Sequence, residues 1–269
     1  MSTDLDAVRG VIDLDRYPID DLDSPRGKEL LAFCHAALAF EGACQLPGFF
    51  RPEAVAALVD EALRKQDVAW RTDDKHNVYF EKVTDDGGPD VPRNRLQHTS
   101  KAAVAWDLVD ADSPLRTAYE WDGLTAFLGR ALAMDDFHPY ADELGAASLM
   151  VFDEGDELGW HFDRSPFAVT VMLQPSQDGG EYQYHHHLRG AEDENEAGVL
   201  AALDDAHPNR ITLTSPPGAL TMFRGQYSMH RVTPVAGSQR RVNAVLAYSE
   251  RPDDKMNALT QKLFYGRTA

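Results

Sequence analysis

From about residue 137 the chain changes its period. Short β-forming runs separated by Gly, Pro and Asp occupy 145–152, 167–174, 180–185, 211–214, 219–224, 229–235 and 241–248. Seven such runs cannot each bury a face alone. They pack as a sandwich or close into a jelly-roll barrel. The preceding 136 residues read differently. Ser24-Pro25 opens a helix over 25–40, with Pro in its first turn. Gly42 to Phe50 reads as a short strand and turn. A second helix over 52–65 carries Val55, Leu58, Val59 and Leu63 at helical spacing. Residues 66–100 read as a mixed polar stretch with a loop at 85–90. Residues 101–133 read as helical, with Leu115, Tyr119, Leu124, Phe127, Leu128 and Leu132 as apolar faces. Residues 1–23 are Asp-rich and are expected to be frayed or ordered only by packing. The expected fold is therefore α+β: a helical N-terminal layer, 1–136, against a jelly-roll core, 137–269. An insertion at about 189–208 and a tail packing back from 251 complete it.

Bulk properties narrow the function. Net charge is −18, which disfavours nucleic acid, because phosphates would be repelled. It is weakly compatible with a cationic ligand. No apolar run approaches the ~20 residues of a membrane span. Met1 to Asp15 has no basic-then-apolar signal pattern. Cys34 and Cys44 read as small buried hydrophobes, not a disulfide framework, which places the chain in a reducing cytoplasm. A homo-oligomer is left open.

The chemistry concentrates in Gly159-Trp160-His161-Phe162-Asp163 and in His230. On a strand, residues two apart share a face, so His161 and Asp163 can point inward together, with Trp160 and Phe162 turned to the core. His230 lies on a second strand. Two imidazoles and a carboxylate form a mixed N/O set that suits iron(II) and leaves positions open. The run His185-His186-His187 does not repeat this, because successive strand side chains diverge. It reads as a lid or surface stretch. His76, His98 and His138 read as hydrogen-bonded structural histidines.

The context resembles the iron(II)/2-oxoglutarate-dependent dioxygenases. The resemblance runs through Phe152, Gly155, Asp156, Gly159, His161 and Asp163, then Asp178-Gly179-Gly180-Glu181-Tyr182. It continues through Pro217 to Phe223 and His230-Arg231-Val232-Thr233-Pro234-Val235. It implies a double-stranded β-helix with His161, Asp163 and His230 as iron ligands. It also implies an arginine for the far carboxylate of 2-oxoglutarate, since a planar guanidinium pairs bidentately with a carboxylate. Arg241 fits best, in Arg241-Val242-Asn243-Ala244-Val245-Leu246, with Arg240 as the alternative. The implied reaction consumes dioxygen and 2-oxoglutarate, releases succinate and carbon dioxide, and oxidises an unactivated C–H.

A narrower resemblance, through Ser165-Pro166-Phe167, Val171 to Gln174, Leu188-Arg189 and Phe223-Arg224-Gly225, is to a bacterial subgroup. That subgroup contains radical halogenases and hydroxylases of free amino acids, lysine most prominently. Its halogenases replace the ligand carboxylate by a small residue. Here Asp163 is present, which implies a hydroxylase. For the substrate, Glu143 and Asp142 are the acidic candidates for amines, with Arg93 and Arg95 for the carboxylate and Asn243 in the binding set. The alternatives are an oxygenase acting on another small molecule or a carrier-tethered amino acid, and a ligand-binding barrel without turnover.

Overall fold

The computed structural model describes residues 4–83 and 87–269. Seven α-helices, one large curled antiparallel sheet and two two-stranded ribbons make up most of the described fold. The helices are α1 (Leu5–Val11), α2 (Pro25–Phe40), α3 (Pro52–Arg64), α4 (Pro114–Tyr119), α5 (Asp122–Leu132), α6 (Glu196–Leu203) and α7 (Ala258–Tyr265). The sheet contains β1 (Ala43–Leu46), β2 (Trp70–His76), β3 (Gln97–Val104), β4 (Ala147–Phe152), β5 (Leu158–His161) and β6 (Ala168–Gln174). It continues with β7 (Tyr182–His185), β8 (Ile211–Leu213), β9 (Leu220–Phe223), β10 (Met229–Val232) and β11 (Arg241–Leu246).

One half of the sheet runs β1-β9-β6-β11-β4-β3-β2 and the other β5-β10-β7-β8. Strand β3 joins them: Ala102 pairs with Val151 of β4, and Thr99 pairs with Leu158 of β5. This is the expected jelly roll.

Alternation decides which side chains enter the core. On β11, Val242, Ala244 and Leu246 face the helical layer, where they join Leu149, Val151, Val169 and Val171. Leu38, Leu58 and Phe127 from the helices close that core. Arg241 and Asn243 take the opposite face. The α2 helix starts as expected: Ser24 caps it by accepting from Gly27 N at 3.0 Å, with Pro25 in the first turn. It buries Leu31, Cys34 and Leu38 at helical spacing.

Residues 4–23 are ordered by packing, one of the two expected outcomes. Val8 and Ile12 are fully buried, and Ile12 bridges to Phe50. One stretch differs from expectation: within 66–104, Trp70–His76 and Gln97–Val104 pair as β2 and β3, from Trp70↔Ala103 to His76↔Gln97, while the loop expected at 85–90 lies partly outside the described residues. The helical reading of 101–133 holds only from Pro114, in α4 and α5. The tail does pack back: α7 lies against β2.

Candidate metal centre

Strand β5 ends at His161, and Asp163 follows two residues on, just past the strand end. His161 pairs directly across the ladder with His230 of β10. The two rings lie 4.1 Å apart. Asp163 closes the triangle, its Oδ1 lying 3.6 Å from His161 Nε2 and 3.5 Å from His230 Nε2. Nδ1 of His161 donates to Gly159 O and Nδ1 of His230 to Ser228 O, both at 2.9 Å. Fixing that tautomer turns both Nε2 lone pairs inward, the arrangement a metal-bound imidazole requires.

The remaining carboxylate oxygen, Asp163 Oδ2, is buried without a hydrogen-bond partner. Burying an acceptor unsatisfied is unfavourable unless a cation completes it. These three residues are the group among those described whose ligand atoms, all within 4.8 Å of one another, can hold a metal ion. Burial and the neighbouring His230 hold His161 near pKa 4, so it is neutral at physiological pH. Despite burial, both histidines hold the Asp163 carboxyl far below the usual range. The donor set fits iron(II).

Aromatic rings wall the centre. Tyr182 stacks on His230 at 5.6 Å, and Phe223 meets His230 edge-on at 4.9 Å. Phe80, which nothing in the sequence signalled, sits 5.4 Å from His161. It holds a left-handed φ of 55°. Asn77 fixes the excursion carrying it, donating to Glu81 O and Arg93 O and accepting from Tyr79 N and Glu81 N. His76 packs on Phe80 and accepts from or donates to Thr99 Oγ1 at 2.7 Å. Trp160 and Phe162 turn away into a second core with Tyr79 and Leu188. His185 lies in contact with Trp160 and His207, not with the triad.

Beside the centre, a cavity of about 40 Å³ is lined by Met172, Tyr182, Thr221, Phe223, Arg241 and Asn243, among others. Arg241 is 5% exposed. Its Nε donates to Gly180 O at 3.1 Å and its Nη1 to Asn243 Oδ1 at 2.5 Å. No carboxylate pairs with it among the described residues. Burial lowers it to about 10, still cationic at neutral pH. Arg240 points the other way and pairs with Asp153 on the surface.

The other substrate candidates are placed elsewhere. Asp142 is a structural carboxylate: Leu144 N, Gly145 N, Met256 N and Gln261 Nε2 all donate to it. Glu143 is 71% exposed, with Lys255 at 3.9 Å. Arg93 is committed to Glu81 and Glu196, and Arg95 to Asp204. The chain's own groups satisfy Asp142, Arg93 and Arg95, solvent surrounds Glu143, and none of the four lines the cavity beside Arg241.

The family model described as Halogenase D matches residues 31–264. No curated protein matches. Among solved structures, an oxidoreductase of the 2OG-Fe(II) oxygenase family from Burkholderia pseudomallei is 15% identical, with TM-score 0.52, over 82% of this chain and 91% of that one. The epimerase SnoN in complex with Fe3+, alpha ketoglutarate and nogalamycin RO is 16% identical, with TM-score 0.57, over 82% and 84%. A prolyl hydroxylase from Trichoplax adhaerens is 11% identical, with TM-score 0.52, over 83% and 90%. The shared feature is the fold. No helix among the described residues is long and apolar enough to cross a membrane.

Proposed function

The chain belongs to the Halogenase D family, and from that premise we propose that it is an iron(II)/2-oxoglutarate-dependent oxygenase that hydroxylates a free amino acid. The observation that carries this reading is the convergence of His161, Asp163 and His230 beside a buried, carboxylate-free Arg241. Iron with 2-oxoglutarate and dioxygen supplies the oxidation of an unactivated C–H, with succinate and carbon dioxide released.

The chain's own residues bind, orient and shield. His161 and His230 both present Nε2 inward, their Nδ1 atoms being tied to Gly159 O and Ser228 O. Asp163 contributes one negative charge and fills the position a halide would need, which favours hydroxyl over halogen transfer. Arg241, steadied by Asn243 and Gly180, offers its guanidinium to the far carboxylate of the co-substrate. Phe80, Tyr182 and Phe223 exclude water, so side reactions with solvent are suppressed.

Lysine is the amino acid that the subgroup resemblance favours. The residues lining the cavity, however, include hydroxyls (Thr170, Ser215, Thr221) and no carboxylate. Neutral amino acids therefore belong in the test beside lysine and ornithine. The protein is incubated with iron(II), 2-oxoglutarate, chloride and each of the twenty amino acids plus ornithine. The expected result is succinate formation and a mass gain of one oxygen on the same amino acid. A chlorinated main product, or succinate independent of any amino acid, overturns the reading.

A further inference from the structure

Lys101 lies on β3, where the sequence alone reads the start of a helix. Register fixes its face. Ala103 pairs with Met150, Met150 with Asn243, and Asn243 with Met172. Paired residues share a face, so Ala103 and Lys101, two residues earlier, lie on the face that carries Asn243 and Arg241. Ala102 and Val104 point to the helical core instead. Lys101 therefore projects onto the concave side of the sheet, where α7 closes over it with Phe264 at 5.7 Å from the ammonium.

The side chain is 7% exposed. Among the described residues its ammonium makes no hydrogen bond or ion pair; the Phe264 ring is its one polar-type contact. Burial pushes it down to about 8. A second orphan sits directly across the ladder: Thr72 pairs with Lys101, and Thr72 Oγ1 is buried with no partner. A lysine kept for structure finds a carboxylate or carbonyl, because a buried unpaired ammonium is strongly unfavourable. Here neither group has one.

We propose that Lys101 and Thr72 form the anchor for a carboxylate carried by the organic substrate, held on the concave face of β3 beneath α7. This rests on the oxygenase reading above and supplies what Arg93 and Arg95 do not. The charges of the centre point the same way. A divalent metal, the Asp163 carboxylate, a dicarboxylate co-substrate and the Arg241 guanidinium sum to zero. Lys101 is then the remaining buried cation on that face, and the substrate brings the matching anion.

The carboxylate could also be the far end of 2-oxoglutarate, so the test separates the two sources. Full-length wild type, Lys101→Met and Lys101→Arg are loaded with manganese(II), which replaces iron without turnover. Calorimetry and thermal shift then measure three kinds of ligand. The first is 2-oxoglutarate. The second, with 2-oxoglutarate present, is the panel of amino acids plus ornithine and their carboxamides. The third is the straight-chain monocarboxylates from acetate to hexanoate.

The expected result is a carboxylate ligand whose carboxamide binds about 10- to 100-fold more weakly, the loss of one charge-assisted contact. Lys101→Met weakens the acid by a similar factor and leaves the carboxamide and 2-oxoglutarate unchanged, while Lys101→Arg restores part of the binding. Unliganded Lys101→Met melts no lower than wild type, since an apolar isostere replaces an unpaired buried charge. Loss of 2-oxoglutarate binding in Lys101→Met assigns the lysine to the co-substrate and overturns the proposal. So does a variant that binds every acid as wild type does, or a wild type that recognises no acid of either panel. If only monocarboxylates bind, and do so through Lys101, the anchor stands and the amino-acid reading falls. If an amino acid is hydroxylated by Lys101→Met with unchanged KM, the reading stands and the anchor falls.

Discussion

Gly225 lies against the carboxylate of Asp163 so closely that a methyl group on its Cα would come 1.8 Å from Oδ2 and 2.6 Å from Cγ. The two are also joined through the backbone, Asp163 N donating to Gly225 O at 3.1 Å. The position of the third ligand is thus set by the absence of a side chain 62 residues further along. Gly225→Ala is expected to push the carboxylate from its place between the two imidazoles. Metal affinity should fall by roughly 10- to 100-fold, the usual effect of losing a group that orients a ligand. Titration of iron(II) or manganese(II) into the metal-free variant measures it. Unchanged affinity would show that Asp163 reaches the metal from another rotamer.

Arg241 and Arg240 are adjacent and face opposite ways, one buried against Phe152 at 5.2 Å, the other paired with Asp153 at the surface. Arg241→Met should raise the 2-oxoglutarate KM by about 10- to 100-fold, as expected for a desolvated guanidinium–carboxylate pair. Arg240→Met should change it less than about two-fold, because exposed ion pairs contribute little. Equal effects from the two substitutions would remove the distinction that burial makes.

These two residues also show what was legible. A charged residue among Val242, Ala244 and Leu246 announces the face it occupies, because a half-buried strand alternates. The strands after Ala147 could be read for that reason, aided by Gly and Pro between them. Strand β2 could not: Trp70-Arg71-Thr72-Asp73-Asp74-Lys75-His76 is solvated along most of both sides and gives no period. Strand β3 failed oppositely. Lys101-Ala102-Ala103-Val104 is buried on both faces, so alternation vanishes and alanine suggests a helix. Lys101 was hidden by that loss of period. Phe80 was hidden because a left-handed turn residue beside His161, fixed by the short-range bonds of Asn77 to Tyr79 and Glu81, leaves no periodic signal in the sequence.

Asp142 shows how a carboxylate near the site in sequence can act elsewhere. It accepts from four donors, two of them, Met256 N and Gln261 Nε2, in the C-terminal tail. Asp142→Ala should destabilise the protein by about 2–4 kcal/mol, since several buried donors lose their partner at once. It should also loosen α7, read as faster amide exchange over 256–265. Glu143→Ala, at an exposed side chain, should change stability by less than about 0.5 kcal/mol. Destabilisation by both alike would argue that the segment is held by its backbone instead.

Histidines held neutral by burial give the metal-free protein a defined acid sensitivity. Burial, with His230 beside it, lowers His161 to about 4, and burial, with His207 beside it, lowers His185 to about 4; His76 and His186 are lowered too, mainly by burial. In the unfolded chain each titrates near 6.5. Between those values the unfolded state binds protons that the folded state refuses, so stability falls as pH falls. The contribution is fully present above about 6.5 and is lost progressively towards 4. His98 has the opposite sign, being raised by Asp73 and Glu157. It is 37% exposed and water weakens those pairs, so it offsets little. From pH 7 to pH 5, each histidine lowered to about 4 should remove on the order of 2 kcal/mol. Urea unfolding of the metal-free protein at the two pH values measures the sum. His185→Gln, which leaves the metal ligands intact, should flatten the dependence by its own share. A stability that is level between pH 7 and pH 5, or a variant with undiminished slope, would mean that these rings accept protons in place.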